Sequence, residues 1–325
     1  MYYIGVDLGG TNIAVGIVDK DLSIIEKGSV PTNPNRDPEL IIKDMAALAA
    51  RLLEKKGIPL SEVAYAGIAS PGTANGETGI IEIANNLPFK MFPIVDIFKK
   101  YLPLDKVYVE NDANAAALAE AMAGVAKGTK NSVMITLGTG VGGGIIIDGK
   151  VYAGFNAAGA ELGHIVIEHN GRQCSCGRRG CWEAYSSATA LTNMTKEKIT
   201  ECRLKGIPTM MIDEEGRDGK VTARTAFNAM KAGDEVAKQV VDEYIAYLAT
   251  GLANIINIFQ PEVISIGGGV CGEGDYLLKP LSKIVDREQY TRFAAPDRRT
   301  QVKIAKLGND AGILGAASIG LIKDN

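Results

Sequence analysis

The segment YYIGVDLGGTNIAVGIVDKDLSIIEKGSV, residues Tyr2–Val30, predicts three β-strands separated by two turns. Its apolar, β-branched runs are interrupted by GGT at Gly9–Thr11 and by DKDL at Asp19–Leu22, which are turn signals. A second segment, SVMITLGTGVGGGIIIDGKVY at Ser132–Tyr152, repeats the order of strand, Gly/Thr turn, strand and DG turn. Each half of the chain is therefore predicted to begin with a β-hairpin whose turn is rich in Gly and Thr.

Helices and strands alternate along the rest of the chain, which indicates an α/β fold with mixed sheets. The spacing of apolar residues predicts amphipathic helices at Pro38–Lys56 and Asp234–Phe259 and a closing helix at Ala311–Ile322. Buried strands are predicted at Val63–Ser70, Lys106–Asp112 and Val263–Val270.

The composition excludes some classes of protein. Of the 325 residues, 46% are hydrophobic and 22% charged, which is the balance of a soluble globular protein. The net charge of −3 gives no general attraction to nucleic acid or to an anionic membrane. The sequence has neither the pattern of a signal peptide nor an apolar run of transmembrane length, and its 5 cysteines are unevenly spread. We expect a cytoplasmic protein without a disulfide framework.

Three glycine-rich turns follow apolar strands: Asp7–Thr11, Gly138–Gly144 and Gly267–Gly269. Glycines allow the backbone to approach a phosphate closely, and the N–H groups of such turns can bind its oxygens. None of the turns matches the Walker A or GxGxxG pattern, and each alone is more typical of a tight hairpin than of a phosphate site, whereas three such turns after apolar strands are more informative. Asp7 could hold Mg²⁺ through water, and Thr11 offers a hydroxyl.

A carboxylate follows another strand, in the sequence Glu110-Asn111-Asp112. Asp112 could be the N-cap of the alanine-rich helix that comes next. Ligands of α/β folds, however, bind at the carboxyl ends of strands, where Asp112 could accept the proton of a substrate hydroxyl. Phosphoryl transfer requires little more than in-line positioning, Mg²⁺, donors for the phosphates and one base.

The segment AELGHIVIEHNGRQCSCGRRGCWEAYSS, residues Ala160–Ser187, contains both histidines of the chain and three of its cysteines. Such crowding favours a metal site, although a redox pair at Cys174 and Cys176 or simply buried thiols would also fit.

Five motifs together resemble the ROK family of sugar kinases and repressors, and most closely its bacterial glucokinases: DLGGTN, ENDANAAALAE, GTGVGGG, AGAELGHIVI and CSCGRRGCWEAYSS. The resemblance extends from Ile4 to the closing helix. It implies the actin-like, hexokinase-like fold, in which two α/β lobes surround a central cleft. We expect a small lobe at residues 1–112, joined by the returning helix 310–325, and a large lobe at 113–309 with the cysteine-rich loop.

The resemblance also implies the roles of single residues. Asp112 matches the catalytic base. Matches to sugar-binding positions are Gly72, Asn86, Asn111, Asp112, Glu161, His164 and Glu183. Matches to nucleotide-binding positions are Asp7, Gly9, Gly10, Thr11, Asn12, Thr139, Gly140, Gly268 and Gly269. Matches to zinc ligands are His164, Cys174, Cys176 and Cys181. A His-Cys₃ set leaves no open position, so we expect structural rather than catalytic Zn²⁺.

The implied activity is ATP-dependent phosphorylation of a hexose at its 6-hydroxyl, with Mg²⁺ accompanying the nucleotide and glucose as the expected sugar. The alternatives within the family are N-acetylmannosamine, fructose, mannose and allose as substrates, and the sugar-sensing repressors.

A repressor needs a DNA-reading module before the kinase-like body, whereas the first predicted strand begins at Tyr2 and no basic recognition helix is evident. An actin-like assembly or chaperone ATPase would rest on fold alone. We expect hexose and ATP as partners, neither nucleic acid nor membrane, and a homodimer or tetramer.

Overall fold

A computed structural model describes residues 1–84 and 86–323, and its internal contacts divide the chain into two compact units. Unit 1 comprises Met1–Met134, Gly144–Ala160 and Ala305–Asn325. Unit 2 comprises Ile135–Gly143 and Glu161–Ile304.

Most of the regular structure of unit 1 lies before residue 123. Its strands are β1 (Tyr2–Leu8), β2 (Asn12–Asp19), β3 (Ile24–Pro31), β4 (Val63–Ser70), β5 (Thr73–Asn75), β6 (Ile80–Ile83), β7 (Lys90–Phe92) and β8 (Val107–Asn111). Its helices are α1 (Pro38–Lys56), α2 (Ile94–Tyr101), α3 (Asp112–Met122) and, near the end of the chain, α10 (Ala311–Lys323). The three opening strands, helix α1 and strand β4 confirm the predictions from the sequence.

The main sheet of unit 1 has the strand order β3-β2-β1-β4-β8. The hairpin strands β1, β2 and β3 pair antiparallel, whereas β1, β4 and β8 run parallel to one another. In the parallel register Asp7 pairs with Ala69, and Ala69 pairs with Glu110. The carboxyl ends of β1, β4 and β8 therefore meet at one edge of the sheet, where ligands bind in α/β folds.

Alternate residues of the strands point into two different cores, as the period of a β-strand requires. On one face, Ile4 and Val6 pack in a cluster with Ile41 and Met45 of α1. The opposite face packs against α3 and α10. The sheet of unit 1 is thus covered by helices on both sides.

A row of glycines lets α10 lie directly on the sheet. Gly16, Gly5 and Gly67 occupy paired positions on β2, β1 and β4. A Cβ at Gly5 would lie 2.1 Å from the Ile313 carbonyl oxygen, and a Cβ at Gly67 would lie 1.8 Å from that of Ala316. Any side chain at these two positions would push α10 away from the sheet.

Helices make up most of unit 2, and their bounds are α4 (Glu183–Ser186), α5 (Ala188–Lys205), α6 (Met210–Asp218), α7 (Thr225–Lys231), α8 (Glu235–Phe259) and α9 (Asp275–Glu288). The remaining strands of the chain are β9 (Ser132–Leu137), β10 (Val141–Ile147), β11 (Lys150–Val151), β12 (Val263–Gly267) and β13 (Gln301–Ile304), in the sheet order β11-β10-β9-β12-β13. Of these, β11 and most of β10 belong to unit 1. The third buried strand is shorter than predicted, because Gly268 has a φ of 100° and starts a turn of 3₁₀ helix at Gly269–Glu273.

The apolar face of α8 is buried within its own unit, against α4, α5, α7 and α9. Trp182, the single tryptophan of the chain, is fully buried and packs on α8 at Gly251. Its indole N–H donates to the Tyr247 carbonyl at 3.0 Å. This contact fixes the start of α4, and with it the neighbouring Glu183.

Residues 113–134, 144–160 and 305–309 belong to unit 1, whereas the sequence analysis assigned them to the large lobe. The reason is that α3 packs closely on α10, with Gly315 against the Ala115 backbone. The lobe boundaries themselves stay a prediction. Across residues 1–84 and 86–323, none of the helices has the length and apolar character that crossing a bilayer requires.

The glycine row makes a prediction about stability. Gly67→Ala is expected to lower the free energy of unfolding by ~1–3 kcal/mol or more, because its Cβ meets backbone rather than a flexible side chain. Gly216→Ala is the matched control, since its Cβ would meet nothing within 4 Å and the residue lies inside helix α6. The control is expected to stabilise the protein by roughly 0.5–1 kcal/mol. Chemical denaturation measures both, and equal stabilities for the two variants would contradict the packing described here.

Candidate active site

In unit 1, the edge where the three parallel strands end carries the predicted base. Asn111 is the last residue of β8, and Asp112 is the first residue of α3. Asn111 caps this helix, since its Oδ1 accepts the N–H groups of Ala113 at 2.9 Å and Asn114 at 3.2 Å. The sequence had left open whether Asp112 was the cap, and the structure assigns that role to Asn111. The Asp112 carboxylate accepts the Ala113 N–H at 2.8 Å and is not required for capping.

Asn111 also connects two predicted sugar-binding positions. Its Nδ2 donates to the Gly72 carbonyl at 3.1 Å. Gly72 has a φ of 91°, and a Cβ there would lie 2.1 Å from the Ile83 carbonyl oxygen. Only glycine fits this bend, which follows the carboxyl end of β4.

Asp7 and Asp112 are both partly buried, and both have a raised pKa. Burial, together with the smaller effect of the negative charge of Asp112, raises the pKa of Asp7 to about 6. Burial also raises the pKa of Asp112, against the opposing effect of the Ala113 N–H group. Like charges placed together in a partly desolvated site are typical of functional rather than structural carboxylates.

Two further residues support this edge of the sheet, and the sequence analysis assigned no role to either one. Glu110 is buried, and its Oε1 accepts the Asn111 N–H and the Asn114 side-chain amide, both at 3.0 Å. Gly312 lies against Asp7, where a Cβ would be 2.3 Å from the carboxylate carbon. The only signal for Glu110 in the sequence was a charged residue inside an otherwise apolar strand. Gly312 gave no signal, because it lies 305 positions after Asp7 in the chain.

The first glycine turn is a compact hairpin. The Gly9 N–H donates to the Asn12 carbonyl at 2.9 Å, and the buried Thr32 donates its hydroxyl to the Gly9 carbonyl at 2.7 Å. Thr11 and Asn12 are exposed, so their side chains are accessible to a ligand. Asn86 is exposed next to this turn, with its Cβ 3.6 Å from the position of a Cβ on Gly10. In unit 1, Gly10 thus lies near Asn86, Asn111 bonds to Gly72, and Asp7 is close enough to Asp112 to sense its charge.

In unit 2, the structure brings the four predicted metal ligands together. The ligand atoms of His164, Cys174, Cys176 and Cys181 all lie within 4.8 Å of one another. The Cys176 and Cys181 sulfurs are 3.6 Å apart, and His164 Nδ1 is 3.7 Å from the Cys174 sulfur. A tetrahedral zinc centre needs separations of about 3.8 Å between sulfurs and about 3.5 Å between sulfur and nitrogen. The donor set and its spacing therefore fit a tetrahedral metal ion.

Short backbone bonds shape this loop around the four donors. The Cys174 N–H donates to the Arg178 carbonyl at 2.9 Å, and the Gly177 N–H donates to the Cys174 carbonyl at 3.1 Å. Gly177 and Gly180 have φ values of 89° and 81°, which suit the tight turns between the cysteines. The Arg178 N–H also points at the Cys176 sulfur and lowers the pKa of that thiol, which favours the thiolate that a metal requires.

Glu183 lies at the start of α4, beside the metal loop. Its Oε2 accepts the Val141 N–H at 3.0 Å, and its Oε1 accepts the Ser175 hydroxyl at 3.0 Å. The predicted sugar ligand Glu161 is exposed, and its carbonyl accepts the His164 N–H at 3.0 Å. A backbone hydrogen bond thus joins Glu161 to the metal ligand His164, and the Ser175 hydroxyl joins Glu183 to the metal loop.

The other two glycine turns also lie in unit 2. The Gly138 N–H donates to the Gly140 carbonyl at 3.0 Å, which folds the turn that contains Thr139 between β9 and β10. Gly268 packs against the backbone of β9, where a Cβ would lie 2.2 Å from the Leu137 carbonyl oxygen. Gly269, by contrast, faces open space.

Comparison with known proteins agrees with this architecture. The chain is 38% identical to the glucokinase of Halalkalibacterium halodurans, over 97% of this chain and 93% of that protein. It is 37% identical to the glucokinase of Thermotoga maritima, over 97% of this chain and 96% of that one. It is also similar to the crystal structure of a ROK family glucokinase from Streptomyces griseus in complex with glucose and AMPPNP. That match has a TM-score of 0.78 and 34% identity, and it covers 98% of this chain and 99% of that one.

The two α/β units, with their mixed sheets and glycine turns, define an actin-like, hexokinase-like protein. The model of the ROK family matches residues 3–323. The chain therefore belongs to the ROK family.

The raised pKa of Asp7 makes a prediction about pH. Between its usual value of 3.8 and about 6, Asp7 is protonated in the folded state and ionised in the unfolded state. The free energy of unfolding should therefore fall as the pH rises through this range. At pH 8, Asp7→Asn is expected to stabilise the protein without ligands by on the order of 1–3 kcal/mol, because it removes a buried charge.

The stabilisation of Asp7→Asn relative to the wild type should disappear near pH 4, because the Asp7 carboxyl of the folded wild-type protein is then neutral, like the amide of the variant. Denaturation of both proteins across the pH range measures the difference. Asp21→Asn, in an exposed turn, is the control and should change stability by less than about 0.5 kcal/mol. A difference between Asp7→Asn and the wild type that does not vary with pH would contradict the raised pKa.

Proposed function

We propose that this chain is an ATP-dependent hexose kinase that transfers the γ-phosphoryl group of ATP to the 6-hydroxyl of glucose. One observation carries the proposal. Asp112 begins α3 at the edge where β1, β4 and β8 end, and capping by Asn111 leaves its carboxylate available for a substrate. The similarity to glucokinases over nearly the whole chain supports the same activity.

The chemistry follows from the position of Asp112. As the 6-hydroxyl attacks the γ-phosphorus, its proton passes to the Asp112 carboxylate, and ADP leaves with the electrons of the broken P–O bond. A carboxylate with a raised pKa holds that proton better than an ordinary one, so burial improves Asp112 as a general base. Asn111 fixes the turn that carries the base, and Glu110 in turn holds the Asn111 backbone.

The nucleotide is proposed to bind through backbone N–H groups of the glycine turns. In unit 1 these are Gly9–Thr11 with Asn12, and in unit 2 Thr139–Gly140 and Gly268–Gly269. Asp7 and the Thr11 hydroxyl would hold Mg²⁺ together with the phosphates. When bound, the ion would neutralise phosphate charge and would also compensate the charge repulsion between Asp7 and Asp112.

The sugar is proposed to bind through side chains that read several hydroxyl groups. Unit 1 supplies Asn111 and Asp112, with Gly72 and Asn86 beside them. Unit 2 supplies Glu161, His164 and Glu183. Glucose is preferred over N-acetylmannosamine, fructose, mannose and allose because both curated relatives named above are glucokinases. A repressor role has no comparable support from the site.

We also propose that His164, Cys174, Cys176 and Cys181 bind one structural Zn²⁺. All four protein donors are engaged, so the ion would order the loop rather than take part in the reaction. His164 places Nδ1 near the cysteines, which leaves its other ring nitrogen for a sugar hydroxyl.

Assembly and location stay predictions. Because α8 buries its apolar face within unit 2, that face does not support a homodimer. Exposed apolar side chains at Ile258, Tyr290 and Phe293 offer a more suitable surface for a dimer or tetramer. Five free thiols agree with a cytoplasmic location, and we expect no nucleic acid partner.

Asp112→Asn tests the assigned base. The amide keeps the shape of the side chain but cannot accept a proton, so glucose-dependent ADP release should fall by roughly 10²–10⁴-fold. Glucose binding, measured by calorimetry without nucleotide, should stay close to that of the wild type. Turnover near the wild-type rate would show that another group removes the proton.

Cys176→Ser and Cys181→Ser test the metal site. Elemental analysis should give one zinc per wild-type chain and much less in either variant, together with a lower melting temperature. Cys202→Ser is the matched control, because Cys202 is a buried thiol on α5 that is not part of the cluster. It should lose stability but keep its zinc. Wild-type protein purified without chelator and free of zinc would argue against the proposal.

A further inference from the structure

The Glu183 carboxylate connects two loops of unit 2. Oε1 accepts the hydroxyl of Ser175, which lies between the first two cysteines of the metal loop, at 3.0 Å. Oε2 accepts the N–H of Val141, in the Gly138–Gly144 turn, at 3.0 Å. Each oxygen is thus held from a different side, and the plane of the carboxylate is fixed.

The metal loop itself directs the Ser175 hydroxyl. The backbone bonds around Cys174 close a tight turn, and metal ligation on both sides would fix Ser175 between two coordinated residues. Ser175 is exposed, so its side chain contributes little to packing. The Cys174 sulfur lies 3.7 Å from the same Oε1. As a metal-bound thiolate it would repel the carboxylate, and the hydroxyl of Ser175 would offset this repulsion.

Gly140 provides the space on the other side of Glu183. A Cβ on Gly140 would lie 2.3 Å from Oε2 and 3.2 Å from the carboxylate carbon. The φ of Gly140 is not in the left-handed region, so the backbone does not demand glycine there. Glycine at this position is explained by the carboxylate that occupies the space of a side chain.

We propose that Ser175 and Gly140 are positioning residues that set the orientation of Glu183 towards the sugar, so that the Ser175 hydroxyl lets the metal loop influence sugar affinity through Glu183. This inference rests on the proposed function, in which Glu183 binds hydroxyl groups of glucose. A carboxylate has about four acceptor sites, so after Ser175 and Val141 about two remain for the sugar. Without Ser175 the carboxylate is held at one oxygen only and can rotate, so the geometry of its contacts with the sugar is impaired.

The variant Ser175→Ala tests the proposal, with Ser175→Thr as the control that keeps the hydroxyl. The dissociation constant of glucose, measured by calorimetry without nucleotide, should rise about tenfold in Ser175→Ala, as expected for one hydrogen bond to a charged group. The KM for glucose should rise by a similar factor, while kcat stays within about twofold. Zinc content and melting temperature should not change, and Ser175→Thr should restore the affinity.

A second variant tests the opposite side of the carboxylate. Gly140→Ala should displace Glu183 and raise the dissociation constant of glucose at full zinc content. If Ser175→Ala and Gly140→Ala both bind glucose like the wild type while retaining zinc, the inference is wrong. Loss of zinc from Ser175→Ala would also overturn it, because the hydroxyl would then act on the metal loop rather than on Glu183. Wild-type protein that binds no glucose would instead overturn the proposed function, and this inference with it.

Discussion

The close approach of helix α10 to the main sheet is the constraint on which unit 1 depends. It is possible only because Gly5 and Gly67 have no Cβ where the Ile313 and Ala316 carbonyls lie. Once in place, α10 presents Gly312 to the carboxylate of Asp7 and Gly315 to the backbone of α3. Because α3 carries Asp112 at its first position, one packed helix sets the positions of both carboxylates at the edge of the sheet. The contacts of α10 that stabilise unit 1 therefore also position Asp7 and Asp112.

The carboxylates at this edge work against stability. Burial raises the pKa of Asp7, Glu110 and Asp112, so each is destabilised in its charged form. A site that served only the fold would have paired these charges or replaced them with apolar residues. In the proposed function, Mg²⁺ bound with the nucleotide would offset the charge of Asp7, and the sugar hydroxyl would supply the proton that Asp112 accepts. The same burial that costs stability makes Asp112 a better acceptor for the proton of a hydroxyl group.

The cysteine-rich loop cannot be ordered by apolar packing in the way that unit 1 is. It has many exposed residues and few apolar anchors, so packing alone cannot order it. A metal ion held by the four donors, which lie within 4.8 Å of one another, would supply the order that packing does not. Ordering the loop would also order Glu183, because Glu183 begins α4 and its carboxylate accepts the hydroxyl of Ser175 in the loop. Trp182 secures the other end, buried against α8.

The sequence by itself determined the local elements and the chemical groups. Helix α1 and strand β4 begin and end where the periodicity predicted, because capping and alternation act over a few residues. The cysteine cluster and the Glu-Asn-Asp turn were likewise visible as short motifs. Only the tertiary structure decided that Asn111 rather than Asp112 caps α3, and that Gly312 supports Asp7. The same holds for Ser175 and Gly140, which hold Glu183. The physical reason is that these roles depend on which atoms come into contact in the folded chain. Residues in such contacts, for example Gly67 and Ala316, lie far apart in the sequence, so no local sequence pattern reveals that they meet.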